Sequence, residues 1–554
     1  MPPASPVPTP PVAPAAVRGV PSNVRWTLGA FVLLGLLVRW PLLDRSVWFD
    51  EVCMSDQRIG TWAQLVAVLY KDIHPPLYVT FMHFWNGVFG DSELSMRVPP
   101  LLCGLASIPL VYWSGYRLVG RNAALWAAVL LMLSPVHIWY SAEARLYSPM
   151  VACTLLLVGT FDRLMDRSLS TTRSLWTLHF ANVAVMLALH YYLAVFVALT
   201  AVAAPLLMGW TRRARIVLVG HGIGLAMLTA FVAAKSMLGE FQTSQDYLRP
   251  MTLPEAYLFL FEWCWTGHTL LAVRNLLDDL AAWLQEAIGV VLVVIGVVRI
   301  ARAGEPRSVL VPMAMIAIPA FLWACSSLGL GHTYTERSAL PSLPFVYLIA
   351  GCGLASLPQT VRRLGGTVVL LLCLASLLAM HAFHDRHWTV YKPHPDWRSA
   401  TAWFSNQIDR GNTGRVIFTS VPNPRSLSYY DVRIQDVKNL APAGDPAAIG
   451  AKVRHRLGDW FGERAEHTFR EFAEQNERLL AGAKLRVYRS ESDPAALRPL
   501  VPQPDGICYL LRDKWHPHVT VDHTIEDLLA NPKVQVLETA EFVSLSLYRV
   551  RLLP

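Results

Sequence analysis

Long apolar runs, with charges confined mostly to their ends, recur from Trp26 to about Phe383. Each is on the order of 17 to 25 residues long, the length at which a helix crosses a bilayer core of about 30 Å. The pattern predicts about eleven membrane spans. They fall at 26–43, 99–117, 122–139, 148–165, 175–190, 192–210, 216–235, 284–301, 308–329, 338–358 and 365–383. The fifth and sixth are nearly continuous and split at His190-Tyr191-Tyr192. From about residue 384 the pattern changes. Short β-like runs (Arg415 to Phe418, Lys484 to Tyr488, Gly506 to Leu511, Val534 to Leu537, Phe542 to Val550) alternate with helical stretches such as Trp397 to Ile408 and Gly462 to Leu480. Strands alternating with helices predict an α/β domain. The expected fold class is a mainly α polytopic membrane protein with a C-terminal soluble α/β domain. Its expected parts are a flexible tail at 1–25, a membrane domain at 26–383 with a large loop at 44–98, and the α/β domain at 384–554.

Composition agrees with this pattern. Of the 554 residues, 53% are hydrophobic and 16% charged, against about 25% charged in ordinary soluble proteins. A disordered chain, a collagen and a disulfide scaffold are excluded. The first apolar run begins late and enters Arg39-Trp40-Pro41 without a small-residue cleavage site, so it reads as an uncleaved span. Arg39, near its outer end, is expected to snorkel to the interface. Of the eight cysteines, five fall in predicted spans, where they act as small apolar residues. A Cys53–Cys264 bridge is an open alternative.

The formal charge of +8 raises the question of nucleic acid, and its distribution answers it. One set of loops carries 13 arginines and three acids, among them Arg117, Arg121, Asp162, Asp166, Arg212, Arg213, Arg215 and Arg307. The opposite set is acidic: loop 44–98 has seven acids and four bases, and loop 236–283 has six acids and two bases. The positive-inside rule then places the arginine loops and the N-terminus in the cytoplasm, and the acidic loops and C-terminal domain outside. The basic balance is an orientation signal. No nucleic-acid partner is expected.

The acidic loop at 44–98 is the richest in chemistry. It opens with Trp48-Phe49-Asp50-Glu51. Two adjacent carboxylates at a membrane surface are either hydrated loop charges or a site. An amphipathic stretch from Ile59 to Tyr70 follows, then Asp72-Ile73-His74-Pro75-Pro76-Leu77-Tyr78. Arg145 and Arg337 lie at span ends on the same side. They are either interfacial anchors or functional groups, and ionisable residues at membrane depth are functional candidates by default. His190-Tyr191-Tyr192 is either an interfacial aromatic belt or part of the site.

These segments, taken together, resemble the family 39 pattern of membrane glycosyltransferases of the GT-C class. Those enzymes include the protein O-mannosyltransferases and the transferase that adds aminoarabinose to lipid A. The resemblance runs in order through Trp48-x-Asp50-Glu51, His74-Pro-Pro-Leu-Tyr78, Phe89-Gly-Asp-Ser-Glu93, Arg97-x-Pro99, Tyr140-Ser-Ala-Glu143-Ala-Arg145-Leu-Tyr147, His190-Tyr191-Tyr192 and Thr335-Glu336-Arg337. It implies transfer of a sugar from a polyprenyl-phosphate donor to a lipid, glycan or protein acceptor at the outer face of the inner (plasma) membrane. Asp50 is the implied base, and Glu51 the group that positions the acceptor or tunes that base. His74, Tyr78, Arg145, Tyr147, His190, Tyr191 and Arg337 are the implied donor-binding residues. The chemistry fits: an acceptor hydroxyl needs a base, an oxocarbenium-like transition state is stabilised by a nearby anion, and a phosphate leaving group needs cations. The chain departs from the lipid A transferase pattern in carrying His74-Pro75-Pro76 where a lysine-containing motif stands. The phosphate-binding cation and the acceptor therefore stay open. A divalent metal would suit carboxylates and phosphate, but no residue pattern demands one. The competing reading is a transporter or flippase of lipid-linked sugars. Such proteins place polar residues and broken helices at mid-membrane, with internal repeats, and no repeat is visible here.

Overall fold

Every one of the eleven apolar stretches is helical in the computed structural model. The structure describes residues 21–55, 59, 61–72, 74–237, 250–267, 276–330, 334–383, 395–412, 415–419, 424–440, 445–501, 505–513, 523–542 and 544–553. Most of the expected N-terminal tail and parts of loop 236–283 lie outside them. Among the described residues, eight helices are long and apolar enough to cross a membrane, or nine if the bent pair Arg121–Leu133 and Pro135–Ser141 counts as one span. The fifth and sixth predicted spans are the helices Arg173–Leu189 and Leu193–Met208, of 17 and 16 residues. At 1.5 Å per residue they reach about 24 to 26 Å, short of the bilayer core.

Close approach within the bundle depends on glycine. A Cβ at Gly353 would lie 2.1 Å from Leu292 O, and one at Gly296 would lie 2.0 Å from Ile349 O. These contacts hold the helices Leu276–Ala303 and Leu343–Ser356 backbone to backbone, as small residues do in membranes. The bent pair turns by 61° at Ser134-Pro135, because Pro135 supplies no amide hydrogen to the preceding turn. Arg39 braces this break. It is fully buried and donates to Gly35 O (2.9 Å), Met132 O (3.3 Å) and His137 Nδ1 (2.8 Å). The expectation that Arg39 snorkels outward is therefore corrected: carbonyls and an imidazole around the kink hold its Nη1 and Nη2 inside the bundle.

The C-terminal residues build a six-stranded sheet from β1 (Val416–Thr419), β2 (Ile434–Asp436), β3 (Leu485–Arg489), β4 (Ile507–Asp513), β5 (Val534–Phe542) and β6 (Leu545–Leu552). The order is β2-β3-β1-β4-β6-β5. The first four strands are parallel, and β5 and β6 form an antiparallel hairpin that pairs with β4 through β6. Ile417 packs on one face with Trp397, Phe404 and Val487; Val416 and Phe418 pack on the other with Leu497 and Ile525. Both faces of β1 are covered, as for an inner parallel strand.

This region grips the loop that carries Asp50. The Arg398 amide donates to Ser46 Oγ (3.0 Å), and its guanidinium pairs with Asp44 (2.9 Å) and Glu93. The Tyr430 hydroxyl accepts from Val47 N (2.8 Å) and donates to Glu93. The helix Asp459–Gly482 packs on the loop helix Trp62–Lys71, with Phe469 and Tyr70 rings 5.3 Å apart. Thr61 caps that loop helix, its side chain accepting from Gln64 N while the Gln64 side chain returns to the Thr61 amide. This is the sequence signature of a helix start.

Candidate active site

Asp50 lies in the short helix Phe49–Val52 at one end of the bundle. Its Oδ2 pairs with Arg337 Nη1 at 2.7 Å. Arg337 belongs to the tight turn Glu336–Ser342 that leads into the helix Leu343–Ser356. The side chains of Asp50 and Arg337 keep 15% and 19% of their surface exposed, so a ligand can reach both. Arg145, from the loop after Pro135–Ser141, donates to the Asp50 carbonyl at 3.4 Å. The Arg337 guanidinium stands 5.7 Å from the Tyr147 ring, within cation–π range.

The neighbouring half of the cluster comes from Asp72 to Tyr78 and from His190 to Tyr192. Asp72 Oδ1 meets His74 Nδ1 at 3.0 Å, and the His74 and His190 rings are 5.5 Å apart. Burial alone would raise the Asp72 pKa, but the hydrogen bond and charge of His74, with Arg145 beyond, carry it below the usual range. Burial, reinforced by His74, Arg145 and Arg337, pushes His190 well below the ordinary imidazole range. Its Nδ1 accepts from Tyr192 N at 3.1 Å, so the neutral ring carries its hydrogen on Nε2. Burial, with Asp72 nearby, raises the Tyr191 hydroxyl to about 12. Tyr78 is buried, and its hydroxyl has no hydrogen-bond partner among the described residues. Arg145 links the two halves electrostatically: its charge acts together with Asp50, Arg337 and Tyr147 and also with Asp72, Tyr78 and His190.

Glu51 sits apart from this surface. Its carboxylate is completely buried and bound at both oxygens by Arg97, at 2.8 and 2.6 Å, with the Ala144 amide at 2.9 Å. Burial would raise its pKa, but Arg97, the Ala144 amide and Arg45 hold it lowered and ionised. Arg97 also donates to the carbonyls of Leu43, Arg45 and Ser46. Glu51 thus ties the Asp50 loop to the loop of Arg145, with no oxygen left for a substrate.

Sequence reasoning did not single out Lys235. It is the last cation of the helix Arg212–Met237, mostly buried, and donates to Leu69 O (3.3 Å) and Asp72 O. A lone lysine ending an otherwise apolar span was the available signal. Among the described residues no group of three or more His, Cys, Asp or Glu is placed to hold a metal ion. All eight cysteines are free, so no Cys53–Cys264 bridge forms.

Comparison with known proteins bears on this arrangement. Residues 73–237 match the model of a family described as dolichyl-phosphate-mannose-protein mannosyltransferase. That match spans His74 to Tyr191 of the cluster and leaves out Asp50, Glu51 and Arg337. Curated protein sequences give no match. The crystal structure of ArnT from Cupriavidus metallidurans bound to undecaprenyl phosphate is similar at 12% identity and a TM-score of 0.53, over 95% of this chain and 98% of that one. Its apo form aligns over the same shares at 13% identity and a TM-score of 0.46. The apo Archaeoglobus fulgidus oligosaccharyltransferase aligns at 11% identity and 0.41, over 80% and 69%. Its apolar helices make the chain a multi-pass membrane protein. Over residues 73–237 it is similar to the protein mannosyltransferase family, and over nearly its whole length it shares the fold of that undecaprenyl-phosphate-bound ArnT structure.

Proposed function

We propose that the protein transfers a sugar from a polyprenyl-phosphate donor to an acceptor hydroxyl or phosphate at the outer face of the inner membrane, with Asp50 as base. The observation that carries this reading is the partly exposed Asp50–Arg337 pair at 2.7 Å, with Arg145 on the Asp50 backbone. The fold shared with an ArnT structure that holds undecaprenyl phosphate supports a lipid-phosphate donor. In this reading the membrane domain is 26–383, and residues 384–554 form an extracytoplasmic α/β domain that steadies the Asp50 loop through Arg398 and Tyr430.

The pair suggests how the base is released. Bound to Arg337, the Asp50 carboxylate is a poor proton acceptor. A donor phosphate offers Arg337 and Arg145 more anionic oxygens, and guanidinium–phosphate pairs are among the stronger charge-assisted contacts. The buried Arg145 Nε and Tyr78 hydroxyl, unpartnered among the described residues, suit the same anion. With Arg337 turned to the phosphate, Asp50 takes the acceptor proton. The acceptor oxygen bonds to the anomeric carbon, and the carbon–oxygen bond to phosphate breaks with its electron pair leaving on the lipid phosphate. Glu51 is a positioning residue in this scheme.

The test is turnover of a radiolabelled sugar lipid by purified protein in detergent. Asp50→Asn should lose about two to four orders of magnitude in transfer while keeping its melting temperature. Near-normal transfer by that variant would remove Asp50 from the base role.

A further inference from the structure

At the end of the bundle opposite Asp50, an open groove of about 520 Å³ is lined by Phe180, Arg212, Arg215, Ile216, Val219 and Gly220. The helix Arg212–Met237 has 26 residues and is about 39 Å long. Lys235, near its far end, bonds to Leu69 O beside the candidate active site. The groove therefore opens at the other leaflet. Its helical residues lie three or four apart, so they share one face. Only 11% of that helix's most apolar stretch is buried inside the protein, so this face meets lipid.

The arginines at this end fall into two kinds. Arg117 and Arg307 pair with Asp162 and Asp166. Arg213 donates to the carbonyls of Asp166 and Leu169. Arg163 lies 3.7 Å from the Trp113 ring centre. Arg212 and Arg215, at the mouth of the groove, have neither an ion pair nor a side-chain hydrogen bond among the described residues. The groove floor is preformed. A Cβ on Gly220 would lie 2.3 Å from Phe180 Cε1, so only glycine lets that ring settle onto the helix. Phe180 in turn stands edge-on to His179 and His221. Those imidazoles bond to each other at 2.9 Å and to Thr160 and Thr200.

We infer that this groove binds one anionic phospholipid of the arginine-side leaflet. The phosphate sits on Arg212 and Arg215, and an acyl chain lies over Ile216, Val219 and Gly220 against Phe180. Two unpaired guanidiniums above an apolar trough complement such a lipid in charge and shape. A zwitterionic lipid fills the trough but brings its own cation to the mouth.

The experiment is native mass spectrometry of the full chain, delipidated and titrated with phosphatidylglycerol or phosphatidylcholine. One phosphatidylglycerol should be retained in preference to phosphatidylcholine. Each arginine is expected to contribute about fivefold, so Arg212→Gln or Arg215→Gln weakens retention by about that factor and the double variant by about thirtyfold. Val219→Trp should displace the acyl chain with both arginines in place. Arg363→Gln, an exposed arginine at the same end but outside the groove, should change nothing. Equal retention of the two lipids, an unaffected double variant, or an equal loss in Arg363→Gln would each overturn the assignment.

Discussion

Replacing Arg97 by Met tests whether the loop bearing Asp50 is held from below. Arg97 makes five hydrogen bonds of 2.6 to 3.3 Å: two to the Glu51 carboxylate and three to the carbonyls of Leu43, Arg45 and Ser46. Met fills much of the volume and satisfies none of these acceptors. Glu51 would then keep the Ala144 amide at 2.9 Å and the Trp48 amide at 3.4 Å, too little for a carboxylate with no solvent contact. Removing one partner of a buried pair costs about 3–5 kcal/mol, because the other charge stays buried. Glu51→Gln alone should cost less, about 1.5–3 kcal/mol, since Arg97 retains its three carbonyls. The double variant removes both charges and should fall short of the sum by about 1–3 kcal/mol. The assay is thermal unfolding in detergent for the four proteins of the cycle, with transfer measured in parallel. A displacement of Asp50 by about 1 Å would lower transfer by about a hundredfold. Acid titration gives an independent check. Burial raises the Glu51 pKa, Arg97 overcomes this, and the folded value lies below the unfolded one, which is about 4.3. The stability it contributes is complete above that pH and is lost as pH falls through the folded pKa. Glu51→Gln should therefore lack this acid-side loss. A cost below about 1 kcal/mol for Arg97→Met, or strict additivity in the cycle, would refute the reasoning.

Two further outcomes follow from the site. Arg337→Gln should lower single-turnover transfer by about 10²–10³ while Asp50 remains in place; an unchanged rate would show that the leaving phosphate does not use Arg337. His190 is buried among His74, Arg145 and Arg337, and its pKa is depressed. It binds fewer protons folded than unfolded, where its pKa is about 6.5, so its contribution is complete above that pH and lost as pH falls. Melting temperatures at pH 7.5 and 5.5 should converge in His190→Asn relative to the unsubstituted protein. An undiminished difference would show that His190 is not the titrating group.

What the sequence made legible follows from the kind of signal each element leaves. Each of the eleven apolar runs proved helical because burial in lipid or protein demands continuous hydrophobicity. They could not tell eight or nine full crossings from the shorter helices Arg173–Leu189 and Leu193–Met208, since the two of these meet at His190 with little polar interruption. Four of the six strands were evident as apolar runs and a fifth, β6, was covered by the run from Phe542. The strand β2 has only Ile434 as an apolar residue among its three and had no alternation to show. Within the site, Asp50, Arg145 and Arg337 stood out as charges at span ends, and the fold brings them together across nearly 300 residues of chain, with a separation of 287 between Asp50 and Arg337. Adjacency alone did not show where Glu51 would point. Two neighbouring carboxylates look equivalent in sequence, yet on a short helix they point about 100° apart, so one faces the opening and the other faces Arg97. The fate of Arg39 turned on the same kind of fact. A charge near a span end reads as an anchor until a proline in another helix, here Pro135, supplies a kink for it to brace. Both cases need partners more than 40 residues away, Glu51 to Arg97 and Arg39 to His137, and no periodicity along the chain encodes that.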